Sequence, residues 1–367
     1  MSLCAQDLRF LRRALALARR AQARTSPNPM VGAVIVNNGV VLGEGYHREA
    51  GGPHAEVFAL RAAGERARGA TLYLSLEPCT HYGRTPPCAD AVIRAGIRRV
   101  VCASLDPNPL VAGRGVERLR AADIEVTWGA LSEEEQRLNE AYRYWIRTRR
   151  PFVTLKLAAS LDGKLATSSG ESQWITGEEA RRDVHRLRAT QDAILTTSAT
   201  VLADDPALTA RFPCGRDPRR VVVDTAARTS PDARVYAPAP RPPLLATAVA
   251  DEERLAPFRA RGVEVLTLPT SEGRVDLHAL LATLGEREII SVMVEAGGSF
   301  ADALLHAGLV HKLRMYLAPL LIGGCHAAPA IAGTGFACLA DAPRLRDVAC
   351  KRLGDDFRIE GYLLPRE

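Results

Sequence analysis

No apolar run in this 367-residue chain approaches the roughly 20 residues needed to cross a bilayer. The longest, residues 31–36 and 289–294, are strand-sized, and a transmembrane segment is excluded. The N-terminus lacks the continuous apolar core of a secretory signal and runs into an Arg-rich amphipathic stretch, so a cytoplasmic protein is expected. Aromatic residues are scarce, at 5%, and no Lys/Arg block is interleaved with them. Despite a net charge of +6 and a pI near 9.0, this argues against nucleic-acid binding. The arginines sit instead on helical faces, among them Arg9, Arg12, Arg13, Arg19 and Arg20, as an ordinary solvated surface. The 8 cysteines are scattered. A cytosolic chain of this length builds cores without disulfides, so a cysteine at ligand spacing reads as a metal ligand.

What is present is the composition of a folded protein, 47% hydrophobic and 25% charged. The length favours two domains. Over the first 150 residues helical and strand patterns alternate: a helix over 7–23, a hairpin of 31–36 and 40–46 around Asn38-Gly39, and strands over 70–76, 99–104 and 125–128. Helices are expected to start near Pro53, Cys88 and Gly115. Ser132 and Glu135 have the spacing of a capping box opening one further helix, loaded with arginines at its far end and stopped by Pro151. The domains are therefore placed at 1–147 and 151–367. The second carries eight strand patterns, at 152–157, 193–197, 220–224, 244–247, 263–268, 289–295, 312–317 and 357–363. The fold class is α/β throughout.

The chemistry gathers at His54, Glu56, Cys79 and Cys88. Hydrolytic zinc sites take three protein ligands and reserve the fourth position for water, whose pKa the metal brings to roughly 7. His54, Cys79 and Cys88 supply such a set. Glu56 is the proton carrier that an attack on an amidine-like ring carbon requires. The pattern is that of the nucleobase deaminases, H-x-E followed by P-C-x-x-C. The second cysteine, however, comes late, and the insert carries His81 and Arg84, a cationic pair suited to a phosphorylated small molecule. A structural zinc site would want a fourth ligand where Glu56 stands.

The segments TSPNPMVGAV (25–34), HAE (54–56), EPCTHYGRTPPC (77–88) and KLAASLDGK (156–164) together resemble the bifunctional deaminase and reductase family of riboflavin biosynthesis, over essentially the whole chain. The resemblance implies an N-terminal cytidine deaminase-like three-layer domain and a C-terminal dihydrofolate reductase-like domain. It implies zinc-dependent deamination of a diaminopyrimidinone ribosyl phosphate, followed by reduction of the ribosyl group to ribityl by NADPH. By the same resemblance Asn28 binds the pyrimidine edge, His47 and His81 contact substrate, and Arg84, where the family often has Lys, meets the phosphate.

For the reductase half, the strand over 289–295 runs into Ala296-Gly297-Gly298-Ser299, a turn whose amides suit a dinucleotide phosphate, as does any ordinary strand-to-helix turn. SGESQWIT (169–176) and the segment 198–211 also resemble the family. These motifs imply that Ala158, Trp174, Thr176, Thr200, Asp204 and Gly297 bind the cofactor, and that Ser172, Arg188, Leu208, Arg211 and Glu295 bind the substrate. The guanidinium forks of Arg188 and Arg211 suit a sugar phosphate. Lys156 reads either as a group polarising the sugar's C1′ centre or as a structural ion-pair partner. Two other functions compete: a nucleoside or tRNA deaminase with a C-terminal binding module, which the long Cys79 to Cys88 insert disfavours, and a zinc scaffold without catalysis, which Glu56 disfavours. A homodimer or homotetramer formed through the reductase domain is expected.

Overall fold

Asn38 and Gly39 both take positive φ, 47° and 79°, as the right-handed twist of a two-residue hairpin requires. They join β1 (Gly32–Asn37) to β2 (Val40–Tyr46) in antiparallel register. The computed structural model describes residues 3–80, 87–211 and 216–363; His81 and Arg84 lie outside them. The chain divides into two units, Met1–Arg149 and Arg150–Glu367.

In the first unit α1 (Ala5–Arg19) precedes the hairpin and α2 (Ala55–Ala63) follows it. Then come β3 (Thr71–Leu74), α3 (Cys88–Arg94), β4 (Arg99–Cys102), α4 (Arg114–Arg120), β5 (Glu125–Trp128), α5 (Ser132–Leu138) and α6 (Glu140–Thr148). The sheet order is β2-β1-β3-β4-β5, with β3, β4 and β5 parallel. One face packs against α2, α3 and α4 through Ala59, Leu72, Val92, Val100 and Leu119. The other face packs against Phe10, Leu11 and Ala14 of α1. Three layers result, and all five expected strands are present.

Residues 132–148 depart from expectation. The predicted single helix is two, broken at Asn139, and the capping box does not form. The N-cap is Leu131, because Glu135 turns inward and pairs with Arg143 in the core. Its burial outweighs the roughly 1 kcal/mol a surface cap supplies.

The second unit runs β6 (Phe152–Ser160), α7 (Glu178–Ala189), β7 (Ala193–Thr197), α8 (Ser198–Asp204), β8 (Arg219–Val223), β9 (Leu244–Thr247), α9 (Glu252–Ala260) and β10 (Glu264–Thr267). A short ribbon follows, β11 (Thr270–Ser271) and β12 (Arg274–Val275), then α10 (Leu277–Glu286), β13 (Ser291–Val294), α11 (Gly298–His306), β14 (Lys312–Ala318), β15 (Leu345–Leu353) and β16 (Asp356–Leu363). The nine-stranded sheet has the order β10-β9-β8-β7-β13-β6-β14-β16-β15. Its first seven strands are parallel, β16 runs antiparallel to β14, and β15 pairs antiparallel with β16. Alternation along β6 shows the layering: Val153, Leu155, Leu157 and Ala159 face the layer of α10 and α11, and Ala158 packs with the layer of α7 and α9. All eight expected strands exist. The unexpected edge strand β15 is exposed on both faces, so its hydropathy carries no alternation, and its pairing with β16 defines it.

Candidate active sites

Two glycines seat the first site. A Cβ on Gly43 would lie 2.2 Å from the carbonyl oxygen of Ala59, and one on Gly45 would lie 2.4 Å from that of Ala55. Helix α2 therefore rests directly on β2. His54 is its N-cap and Glu56 lies in its first turn. Cys79 follows β3, and Cys88 is the first residue of α3.

The three ligand-type residues converge, with their donor atoms all within 4.8 Å of one another. His54 Nδ1 lies 3.1 Å from Cys88 Sγ and 3.5 Å from Cys79 Sγ. A hydrogen bond from the Cys88 thiol, together with His54, holds Cys79 down at about 4 against the opposing effect of burial. His54 is correspondingly raised, first by its hydrogen bond to Cys79. Two sulfurs and an imidazole nitrogen are a zinc donor set. Glu56 is buried beside them, 3% exposed, and its Oε2 has no hydrogen-bond partner. Burial pushes its carboxyl up, which the charge of His54 only partly opposes. A buried carboxyl oxygen without a partner costs roughly 1–3 kcal/mol unless something arriving at the site satisfies it.

The Glu77 carboxylate anchors the approach to Cys79. It accepts from the backbone N–H groups of Asp106, Gly113, Gly115 and Val116 at 2.9 to 3.2 Å. His47 Nδ1 lies 3.1 Å from the Pro53 carbonyl oxygen, which can only accept. Nδ1 therefore carries the proton, and Nε2 accepts from Asn28 Nδ2 at 3.1 Å. Burial pushes the His47 pKa down, consistent with that neutral ring.

In the second unit Thr200 lies in α8, directly after β7, and Glu295 and Gly297 directly follow β13, at the C-terminal ends of parallel strands, where open sheets bind ligands. Arg188 grips Glu295 bidentately, Nε to Oε1 at 2.6 Å and Nη2 to Oε2 at 2.9 Å, and its Nη1 donates to the Thr209 carbonyl at 3.1 Å. Lys156 Nζ reaches Glu295 Oε2 at 3.4 Å. Of the two readings of Lys156, the ion pair is realised. Burial alone would raise Glu295, but the charges of Arg188 and Lys156 outweigh it and hold the carboxyl at about 2. The Arg188 fork is thereby occupied, whereas exposed Arg211 donates to Thr209 Oγ1 at 3.3 Å. Leu208 is buried with a φ of 51°.

Ser172 Oγ donates to Asp204 Oδ1 at 3.2 Å, and Thr200 Oγ1 lies 3.4 Å from Thr197 Oγ1. The Thr176 carbonyl accepts from Arg181, whose guanidinium lies 4.9 Å from the centre of the Trp174 ring. Gly297 is the N-cap of α11, and a Cβ there would meet nothing within 4 Å. Gly298 differs: a Cβ would stand 2.4 Å from the Pro329 carbonyl oxygen, so this glycine serves packing. A cavity of about 390 Å³ is lined by Ser172 and Trp174 and by residues 320–324. Sequence reasoning missed that last segment. Its signal lay in the KLAASLDGK motif: the Asp162 carboxylate accepts from Ser160 Oγ and from the N–H groups of Ile322 and Gly323, and is held at about 2, first by the Ser160 bond.

Comparison with known proteins agrees with both halves. Residues 4–104 match the cytidine and deoxycytidylate deaminase zinc-binding region, and residues 151–359 match the RibD C-terminal domain. The riboflavin biosynthesis protein RibD of Escherichia coli is 48% identical over 364 residues, covering 96% of this chain and 98% of its own. The structure is similar to that of Acinetobacter baumannii RibD, with a TM-score of 0.89 at 40% identity over 99% of each chain. A Thermotoga maritima protein described as a diaminohydroxyphosphoribosylaminopyrimidine deaminase/5-amino-6-(5-phosphoribosylamino)uracil reductase gives 0.87 at 34% identity, covering 98% of this chain and 99% of that one. The chain belongs to the RibD family, the bifunctional enzymes of riboflavin biosynthesis that join a zinc-binding deaminase domain to an NADPH-dependent reductase domain.

Proposed function

We propose that the two domains, at 1–147 and 151–367, act in sequence on one phosphorylated pyrimidine. The first hydrolyses the 2-amino group of 2,5-diamino-6-ribosylamino-4(3H)-pyrimidinone 5′-phosphate, and the second reduces the ribosyl side chain of the resulting uracil to ribityl. The observation that carries this reading is the convergence of His54, Cys79 and Cys88 on buried Glu56 with its unpartnered oxygen.

Zinc held by His54, Cys79 and Cys88 would supply Lewis acidity and bring the pKa of water to about 7. Glu56, raised by burial, takes a proton from the attacking water and returns it to the ring nitrogen and the departing ammonia. Asn28 binds the pyrimidine edge, its amide oriented by His47. His81 and Arg84, expected to contact substrate and its phosphate, lie outside the described residues.

In the reductase domain Ala158, Trp174, Thr176, Thr200, Asp204 and Gly297 hold NADPH, while Ser172, Arg188, Leu208, Arg211 and Glu295 hold substrate. Arg188 keeps Glu295 ionised and oriented at the substrate's edge. Here the protein's work is to orient nicotinamide against the sugar carbon.

No helix among the described residues is long and apolar enough to cross a membrane, in keeping with a cytoplasmic enzyme. The exposed edge strand β15 supports assembly as a homodimer or homotetramer through the reductase domain, and a monomeric mass in light scattering would refute that. The test of function is NADPH oxidation by zinc-loaded protein given the diaminopyrimidinone ribosyl phosphate. Wild type should oxidise NADPH and a Glu56→Ala variant should not, until it is given the deaminated intermediate. Equal oxidation by both on the first substrate would refute the order of steps.

A further inference from the structure

We infer that Asn139, a residue in no motif and 111 positions from Asn28 in sequence, is a positioning residue of the deaminase site that holds the Asn28 loop in register with α2. The inference rests on the proposed role of Asn28 at the pyrimidine edge. Asn139 occupies the break between α5 and α6 and is 3% exposed. Its side chain closes a two-point clamp on one residue of the loop: Oδ1 accepts from the Met30 N–H at 2.8 Å, and Nδ2 donates to the Met30 carbonyl at 3.0 Å.

The amide is itself locked. Nδ2 also donates to Glu135 Oε1 at 2.9 Å, and Glu135 Oε2 accepts from Arg143 at 2.8 Å. A flipped amide would set its oxygen against both the Met30 carbonyl and the Glu135 carboxylate, so one orientation is enforced. The inward turn of Glu135 and the helix break at Asn139 together bring this side chain to Met30.

From Met30 the chain of constraint is short. Asn28 lies two residues back, its N–H bonded to Thr25 O at 2.7 Å. The His47 N–H donates to Val31 O at 2.9 Å, and the His47 ring bridges Asn28 Nδ2 to the Pro53 carbonyl. Pro53 immediately precedes His54. Met30 is thus the point where α5 and α6 register the substrate-edge amide against the start of α2. A loosened clamp displaces Asn28 without touching His54, Cys79 or Cys88.

The experiment measures ammonia release, without NADPH, for Asn28→Ala, Asn139→Asp and the double variant, with zinc content measured on each. Asn139→Asp is isosteric, so the core keeps its volume, but it replaces the donor facing Met30 O and Glu135 by an acceptor. It should raise KM about tenfold or more, as misplacements of about 1 Å do, while zinc stays at its wild-type level. The double variant should be no worse than Asn28→Ala alone, because the clamp acts through Asn28; a merely structural role would make the two effects multiply. An unchanged KM in Asn139→Asp alongside a raised KM in Asn28→Ala overturns the inference alone. An unchanged KM in Asn28→Ala removes the reading on which it rests.

Discussion

Glu295 is the residue whose removal the structure prices most directly. Its carboxylate faces Arg188 at 2.6 Å and Lys156 at 3.4 Å, and the three side chains are 11%, 14% and 16% exposed. Glu295→Gln keeps the shape but leaves two cations together in the interior. With charges about 4 Å apart and an effective dielectric of about 20, each attraction is worth roughly 4 kcal/mol before desolvation. Breaking a buried pair by removing one partner typically costs about 3–5 kcal/mol. The depression of the carboxyl from 4.5 to about 2 corresponds to about 3 kcal/mol by linkage, in the same range. Because the folded pKa lies below the unfolded one, this stabilisation is complete above about 4.5 and is lost as pH falls towards about 2. The assay is urea unfolding followed through Trp174, the only tryptophan beyond residue 149. The variant should lose about 3 kcal/mol at pH 7, and the gap from wild type should narrow steadily below pH 4.5. Curves that run parallel within about 0.5 kcal/mol over the whole range would refute the assignment of Glu295 as the charged hub of this cluster.

Three further outcomes are expected. If Glu56 moves protons as proposed, Glu56→Gln should slow ammonia release by about 10²- to 10⁴-fold while zinc, measured by atomic absorption, stays bound by His54, Cys79 and Cys88. Cys79→Ser should lose zinc and ammonia release together but keep NADPH oxidation on the deaminated substrate, which a coupled spectrophotometric assay resolves. Gly45→Leu should destabilise the first unit by about 1–3 kcal/mol in urea and lower zinc affinity, because the added side chain must displace the start of α2.

The sequence by itself determined whatever depends on short-range chemistry. Asn38-Gly39 dictates its hairpin because positive φ is cheap at those two residues, and β7 and β13 are legible because burial on both faces selects short apolar runs, residues 193–195 and 292–294. His54, Glu56, Cys79 and Cys88 were recognisable because a three-ligand metal site with a proton carrier imposes residue types that rarely coincide otherwise. Tertiary structure decided what rests on partners distant along the chain. Strand β15 exists by pairing with β16, with no burial pattern to announce it. Ser132 and Glu135 have capping-box spacing, yet Glu135 went to Arg143 and Asn139, because a buried, charge-assisted bond outcompetes an exposed cap. Arg188 has the fork of a phosphate ligand, and only the fold shows that fork closed on Glu295. Asn139 carries no local signal at all; it acquires its place because the break between α5 and α6 brings one amide within hydrogen-bonding distance of Met30, 109 residues earlier in the chain.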